Sequence, residues 1–504
     1  MLELIALVVV VLILAWYVKN RLPANYPPTP PTRLPLFGHS HYLLFTRNSG
    51  IEAIDELFHK YSKDGVMAFH LGSFKLVIIG SFDLLKECFK AEDTNFRQAN
   101  KENLALAILL RRSKNGNEGI IEGVGRIWTE QRRFMLSTFK DFGFGKSDME
   151  RMIKDEVVFF LDYIEKSNQS GPIKTINMFN TAVLNILWQM IAGERFDYDD
   201  KDLKNIFELV TEAILAAGIK PSIAFIFPWL RDIFPNIDPL YKNVQIMQNV
   251  KDFLDSVVQE HRKTFDPYHI RDFIDAYLLE MEKTTDVDSS FCKTNGDEMI
   301  LQTLIDLFFA GSETTSSTLS WAVLYLIINP EVQTKIHEEI KTVIGLERTP
   351  DLADRADLPY LDASILEIQR LGDTVPNGLM HANPFVGFQL GKYYVPQGHT
   401  FQGDFSEIMQ DPEYWPKPEE FKPERHINDE GEVVIDQRII PFSIGKRKCP
   451  GETLAKSTIF LVLALLLQRF EIFPIDPNNP PPNEGICGIT RIPKPFSFNL
   501  KRRS

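Results

Sequence analysis

The residues best placed to do chemistry lie in PFSIGKRKCPGETLAKSTIFLVLALLLQRF, Pro441 to Phe470. A lone buried cysteine is ordinarily inert packing. Here Phe442, Gly445, Arg447, Cys449 and Gly451 form the pattern F-x-x-G-x-R-x-C-x-G. Gly445 lets the chain turn sharply, and Gly451 leaves no side chain where a flat group could lie close. The apolar run reads as a helix from about Glu452, whose first amides and dipole favour a thiolate at Cys449. Pro450 has no N–H, so the amides from Gly451 onward carry that role. A thiolate so supported is a good soft ligand for iron in a porphyrin.

Other spacings add to this. In EIQR, Glu367 and Arg370 lie three apart and share a helix face. They read either as a solvated pair of little worth or as part of a buried network. In AGSETTS, Ala310 to Ser316, Ala310 and Thr314 are four apart on one face, with Glu313 beside them. The Thr314 hydroxyl either bonds back to its own helix or is free for a ligand.

Taken in order, these motifs resemble the cytochrome P450 superfamily of haem-thiolate monooxygenases, over nearly the whole chain. WTEQRRF matches W-x-x-x-R through Trp128 and Arg132, AGSETTS matches A-G-x-E/D-T, EIQR matches E-x-x-R, and PEEFKPER supplies Arg425. The resemblance implies haem b with Cys449 as axial metal ligand. Glu367, Arg370 and Arg425 would form a structural triad that fixes the loop before the cysteine. Arg132, Arg447 and His381 would reach the propionates, with Trp128 supporting. His381 stands in LMHANP, where relatives often follow the histidine with arginine; a plain core or loop histidine is the other reading. Ala310 would leave room for O2. Thr314 and Glu313 would be the catalytic pair that hydrogen-bonds the oxygen and relays protons. Electrons would come singly from NADPH through NADPH-cytochrome P450 reductase, with cytochrome b5 as a further donor. Lys446, Arg447 and Lys448 either steer such an acidic partner or form a merely solvated loop.

The resemblance is closest to animal microsomal enzymes of xenobiotics, fatty acids and steroids, which implies a small lipophilic substrate. Candidate lining falls at 104–120, 214–227, Phe309, Ala310, Val375 to Leu379 and Cys487 to Ile489. His399 and Asp404 stand where relatives usually carry Thr and Asn. Two other functions compete. An oxygen-independent isomerase or dehydratase would usually lack the Glu313–Thr314 pair, and a non-catalytic haem carrier or sensor would not require it.

The elements that must position these residues are mainly α, with a minor β region. Apolar residues recur at three and four spacing over 51–62, 83–91, 148–167, 171–193, 201–217 and 243–264. VMAFHLG, KLVIIG, FVGFQL and YYVP read as short strands. The longest helical pattern runs from Asp297 to Ile328 and is closed by Asn329-Pro330. Asp306 and Glu313 argue against its crossing a membrane. It reads as a long central helix over the haem. The stretch 213–235 is apolar and proline-broken, either a core-packed loop or a flap touching a bilayer.

At the N-terminus, Leu4 to Val18 is apolar throughout and is followed by Lys19 and Arg21. Positive charge after the run, rather than before it, predicts an uncleaved transmembrane signal-anchor over 1–21 with the body in the cytosol. The implied address is the endoplasmic reticulum membrane. Prolines over 22–49 read as a stiff hinge, and 50–504 as one catalytic domain. The formal net charge of −13 disfavours nucleic acid as a partner. Cys88, Cys292, Cys449 and Cys487 are too scattered for a zinc site or a disulfide framework.

Overall fold

The computed structural model describes residues 7, 10, 11, 14–18, 20–44, 50–97, 118–219 and 241–503. Helix dominates. The central helix spans Lys293–Ile328, 36 residues, beginning four before the apolar pattern does. At 1.5 Å per residue it is about 54 Å long. Asn329 closes it, and Pro330 opens the next helix, Pro330–Val343, at a position where proline forfeits no hydrogen bond.

Three helices matter most around it. Asn180–Ala192 is apolar on nearly every side and buried on nearly every side. It crosses the central helix at Gly311, where a Cβ would strike Leu187. Glycine there is a condition of the close approach. Pro359–Gly372 is buried from Leu361 through Gly372, save Asp362. Glu452–Arg469 carries an unbroken buried run from Ser457 to Gln468. These helices share one core with the second half of the central helix, including Trp321, Leu324, Ile365, Ile368, Phe460 and Leu463.

The strands are β1 (Val66–Leu71), β2 (Phe74–Ile79), β3 (Ile173–Lys174), β4 (His381–Ala382), β5 (Phe388–Leu390), β6 (Tyr393–Val395), β7 (Thr400–Gly403), β8 (Phe470–Pro474), β9 (Gly485–Cys487), β10 (Arg491–Pro493) and β11 (Ser497–Arg502). The largest sheet has the order β1-β2-β7-β4. β1 and β2 form a hairpin with Val66 opposite Ile79, and β2 runs parallel to β7 with Leu76 opposite Thr400. The pattern over 171–193 is helical only from Asn180. Gly171 ends the preceding helix, and Ile173–Lys174 pairs with β11 instead.

The proline-rich segment lies against the sheet. The Ala68 amide donates to the Pro28 carbonyl at 2.7 Å. The buried Tyr26 hydroxyl sits between His70 Nε2 and His399 Nε2, each at 2.8 Å. Among the described residues no helix is long and apolar enough to cross a membrane. Much of the Leu4–Val18 run, and most of 213–235, lie outside the described residues.

Candidate functional site

The cysteine loop closes on itself. The Cys449 amide donates to the Phe442 carbonyl at 2.9 Å, and the Lys448 amide to the Gly445 carbonyl at 3.2 Å. Gly445 has φ +78°, and a Cβ there would strike the Phe89 carbonyl, so only glycine fits. Half-buried Phe442 flanks the loop, with Lys456 Nζ 5.5 Å from its ring centroid. Cys449 is unpaired and solvent-accessible. A Cβ on Gly451 would meet only Cys449 Sγ, at 3.9 Å, so that face of the sulfur is open. Protein closes on the thiol elsewhere. Burial pushes its pKa up, outweighing the Gly451 amide and the Arg132 charge that pull it down. The expected depression by the helix N-terminus is therefore outmatched by desolvation in the protein alone.

Beside the loop, guanidinium groups crowd together. Arg447 is turned inward and donates to the Gly123 carbonyl at 2.7 Å and the Asn95 carbonyl at 3.2 Å. It lies over the Trp128 ring, 4.3 Å from the centroid. Arg132 donates to the Lys448 carbonyl at 2.6 Å. Arg97, which sequence patterning does not single out, donates to the carbonyls of Ile121 at 3.1 Å and Met380 at 2.6 Å. Burial, then repulsion from Arg97, brings the Arg447 pKa down to about 8, with Glu122 opposing. Burial brings Arg97 down to about 10. Among the described residues, two buried donors beside these charges, Arg447 Nη1 and Trp128 Nε1, have no hydrogen-bond partner. Crowded cations with unmatched donors fit a group carrying two carboxylates, as haem does.

His381 belongs to the same neighbourhood. It stacks on Phe89, centroids 3.8 Å apart, and its Nδ1 lies 3.2 Å from the Thr94 carbonyl. Burial, then Arg97 and Arg447, hold it well below the usual histidine range, so the ring is neutral. The other two cations of the loop are matched: Lys446 pairs with Glu92, and Lys448 with Glu452 at 2.6 Å.

The central helix shows two different faces. Midway along the central helix Ala310 is exposed and Thr314 half-buried, while Phe309, Ser312 and Glu313 beside them are buried, so this stripe borders an open cleft. One turn earlier on the same stripe, Asp306 holds the segment that carries Gly123 and hence Arg447. Thr314 Oγ1 donates to the Ala310 carbonyl at 2.9 Å, bonding back to its own helix. Glu313 points about 100° away. It is buried, accepts from Asn180 Nδ2 at 3.1 Å, and burial raises its pKa. It borders a polar cavity of about 30 Å³ shared with Asn177, Thr211, Ser316 and Ser317, room for about two waters. Thr314 and Glu313 are thus adjacent in sequence but are not brought together.

Glu367, Arg370 and Arg425 do converge. Arg370 Nε and Arg425 Nε each donate to the Glu367 carboxylate at 2.8 Å. Glu367 and Arg370 are fully buried. A fourth member, His426, places Nε2 2.8 Å from Glu367 Oε2, and the Lys422 amide donates to Oε1 at 3.0 Å. Arg370 also donates to the Met409 and Pro418 carbonyls, at 2.9 Å and 2.7 Å. Burial alone would raise the Glu367 pKa, but Arg370, His426 and the Lys422 amide bring it down to about 2.

The cytochrome P450 family pattern matches residues 27–500. The chain belongs to the cytochrome P450 family. Membership makes it a monooxygenase and implies haem with a cysteine thiolate ligand. Rat cytochrome P450 2U1 is 32% identical over 506 residues, covering 97% of this chain and 92% of the relative. Human cytochrome P450 2J2 is 36% identical over 471 residues, covering 93% and 89%. Rat cytochrome P450 2J3 is 35% identical over 478 residues, covering 94% and 90%. Of the candidate lining of this cytochrome P450, Val375, Leu379, Cys487 and Ile489 are half-buried. Most of 104–120 and 214–227 lie outside the described residues.

Proposed function

We propose that this cytochrome P450 is a membrane-anchored monooxygenase that inserts one oxygen atom of O2 into a small lipophilic substrate. Cys449 would hold the haem iron through its thiolate. The observation that carries this is the open face of its sulfur at Gly451, set beside the unmatched buried donors of Arg447 and Trp128. A coordinating thiol is deprotonated by the ion it binds, which removes the burial penalty on the thiolate. Arg97, Arg132, Arg447 and Trp128 would hold the propionates, with His381 beside them as a neutral ring. When bound, haem supplies the oxygen-activating and radical chemistry.

The chain's own residues then govern protons and water. Small Ala310 keeps the cleft open, and Thr314 reaches it by exchanging its bond to the Ala310 carbonyl for one across the cleft. Glu313 takes protons from the polar cavity behind the helix, where burial favours its protonated form. The Glu367–Arg370–Arg425 cluster, with His426, fixes the segment leading to the cysteine loop.

Residues 1–21 anchor the protein in the endoplasmic reticulum membrane, 22–49 form the hinge, and 50–504 form the cytosolic catalytic domain. Electrons come from NADPH through NADPH-cytochrome P450 reductase, aided by cytochrome b5. Because Lys446 and Lys448 are already paired, steering of that partner draws on a wider surface than this loop.

The test is a carbon monoxide difference spectrum of the reduced protein and its Cys449→Ser variant, followed by 18O2 incorporation into a panel of fatty acids, steroids and drugs with reductase and NADPH. A red-shifted band lost in the variant, with label in product, is expected. A parent protein without that band defeats the reading.

A further inference from the structure

Asp306 is a buried carboxylate in the middle of the central helix, and the roles assigned above leave it unused. Its Oδ2 accepts from two consecutive amides, Ile120 at 2.8 Å and Ile121 at 2.9 Å. Its Oδ1 accepts from Gln302 Nε2 at 3.2 Å. The loop is shaped to meet it: Gly119 has φ +75°, and a Cβ there would come within 2.5 Å of Asp306 Oδ2. Two amides converging on one charged oxygen make a strong clamp.

The clamped segment is the one that holds the arginines. The Ile121 carbonyl accepts from Arg97 Nε at 3.1 Å, and the Gly123 carbonyl accepts from Arg447 at 2.7 Å. Trp128, over which Arg447 lies, begins one turn into the helix Gly125–Asp141 that follows. Asp306 is also one helical turn from Ala310, on the stripe that borders the cleft.

We propose that Asp306 is a positioning residue for the haem seat: it locks 119–123 to the central helix so that Arg97 and Arg447 present their donors to the propionates. The proposal rests on the haem site proposed above. The carboxylate acts through the loop and touches neither haem nor substrate. Mutually repelling guanidinium groups would otherwise move apart, so their carbonyl anchors must not yield.

Three variants test it: Asp306→Ala, Asp306→Asn and Gly119→Ala. In Asp306→Asn one oxygen can still take both amides. Its new NH2 would face Gln302, whose Oε1 is buried without a partner among the described residues and is available on flipping. Haem loss from the oxidised holoenzyme is followed by transfer to excess apomyoglobin, alongside the global unfolding temperature. Asp306→Ala is expected to lose haem about tenfold faster. Gly119→Ala, which pushes the clamp apart from the loop side, should behave likewise, and Asp306→Asn should stay within about twofold of the parent. In each, the reduced carbon monoxide band should keep its position, since the sulfur is untouched. Gln302→Ala is the control on the same helix and should change little. Haem loss within about twofold of the parent in both Asp306→Ala and Gly119→Ala overturns the proposal, as does equal acceleration in Gln302→Ala. Amide hydrogen exchange at Ile120 and Ile121 gives a readout independent of haem. Faster exchange in Asp306→Ala supports the clamp, and unchanged exchange overturns it. A parent protein that takes up no haem defeats the proposed function instead, and leaves this second readout to decide.

Discussion

At the scale of single residues, the central helix separates two jobs that the motif writes side by side. Thr314 faces the cleft with its hydroxyl tied to the Ala310 carbonyl, whereas Glu313 faces Asn180 and the polar cavity. Thr314→Ala therefore removes a bond within the helix, at a stability cost of about 0–1 kcal/mol. The variant should keep its haem and its carbon monoxide band, yet yield several-fold less product per NADPH with peroxide in its place. Simultaneous measurement of NADPH, peroxide and product checks this, and unchanged coupling would remove Thr314 from proton delivery. The shared face of Ala310 and Thr314 was readable from a spacing of four. The outward turn of Glu313 toward Asn180 was not, because that partner lies 133 positions away. No local spacing marks Arg97 for the same reason: its carbonyl partners at Leu379 and Met380 are 282 and 283 positions distant.

At the scale of elements, the helix Pro359–Gly372 delivers Glu367 and Arg370 to the core as one ion pair, and the short turn Pro423–His426 brings Arg425 and His426 against it. Glu367→Ala would leave Arg370 fully buried without its counter-charge, which costs about 3–5 kcal/mol. Little haem-loaded protein should form, and the unfolding midpoint in urea should fall accordingly. Normal incorporation with an unchanged midpoint would refute the structural role. The same carboxylate gives an acid dependence whose sign follows from its pKa of about 2. A folded pKa below the unfolded one means that the stabilisation is present in full above about pH 4.5 and lost as pH falls through 2. Long elements were legible because their apolar spacing repeats over many turns, as in the central helix. β3 was not, because two residues carry no period and their strand character comes only from pairing with β11. The helix patterns also said nothing of Gly311, whose purpose appears only once Leu187 is seen against it.

At the scale of the whole molecule, the pH range of the fold is bounded by two sets of buried titratable side chains. On the acid side, His399 and His70 grip Tyr26 and so tie the N-terminal segment to the sheet. Burial, then the Lys75 charge, lowers the His399 pKa to about 4; burial likewise brings His39, behind the same sheet, to about 4. Their contribution is complete above about pH 6.5 and lost as pH falls toward 4, because the unfolded chain takes the proton first. On the alkaline side stands Asp404, which caps the short helix Phe405–Met409 by accepting the Glu407 amide at 3.0 Å. Burial, joined by the Asp55, Glu407 and Asp373 carboxylates, raises its pKa to about 8. A folded pKa above the unfolded 3.8 has the opposite sign: its contribution is complete below about pH 3.8 and lost as pH rises through 8. Asp404→Asn keeps the capping oxygen and cannot ionise. It should raise stability by about 1–2 kcal/mol near pH 5 and by about 4 kcal/mol more near pH 8.5. Urea unfolding of parent and variant at a series of pH values checks this, since the gap between the two curves must widen as pH rises. Curves that run parallel from pH 5 to 8.5 would mean that Asp404 is ionised in the fold throughout, and its burial among three other carboxylates would need another source of compensation.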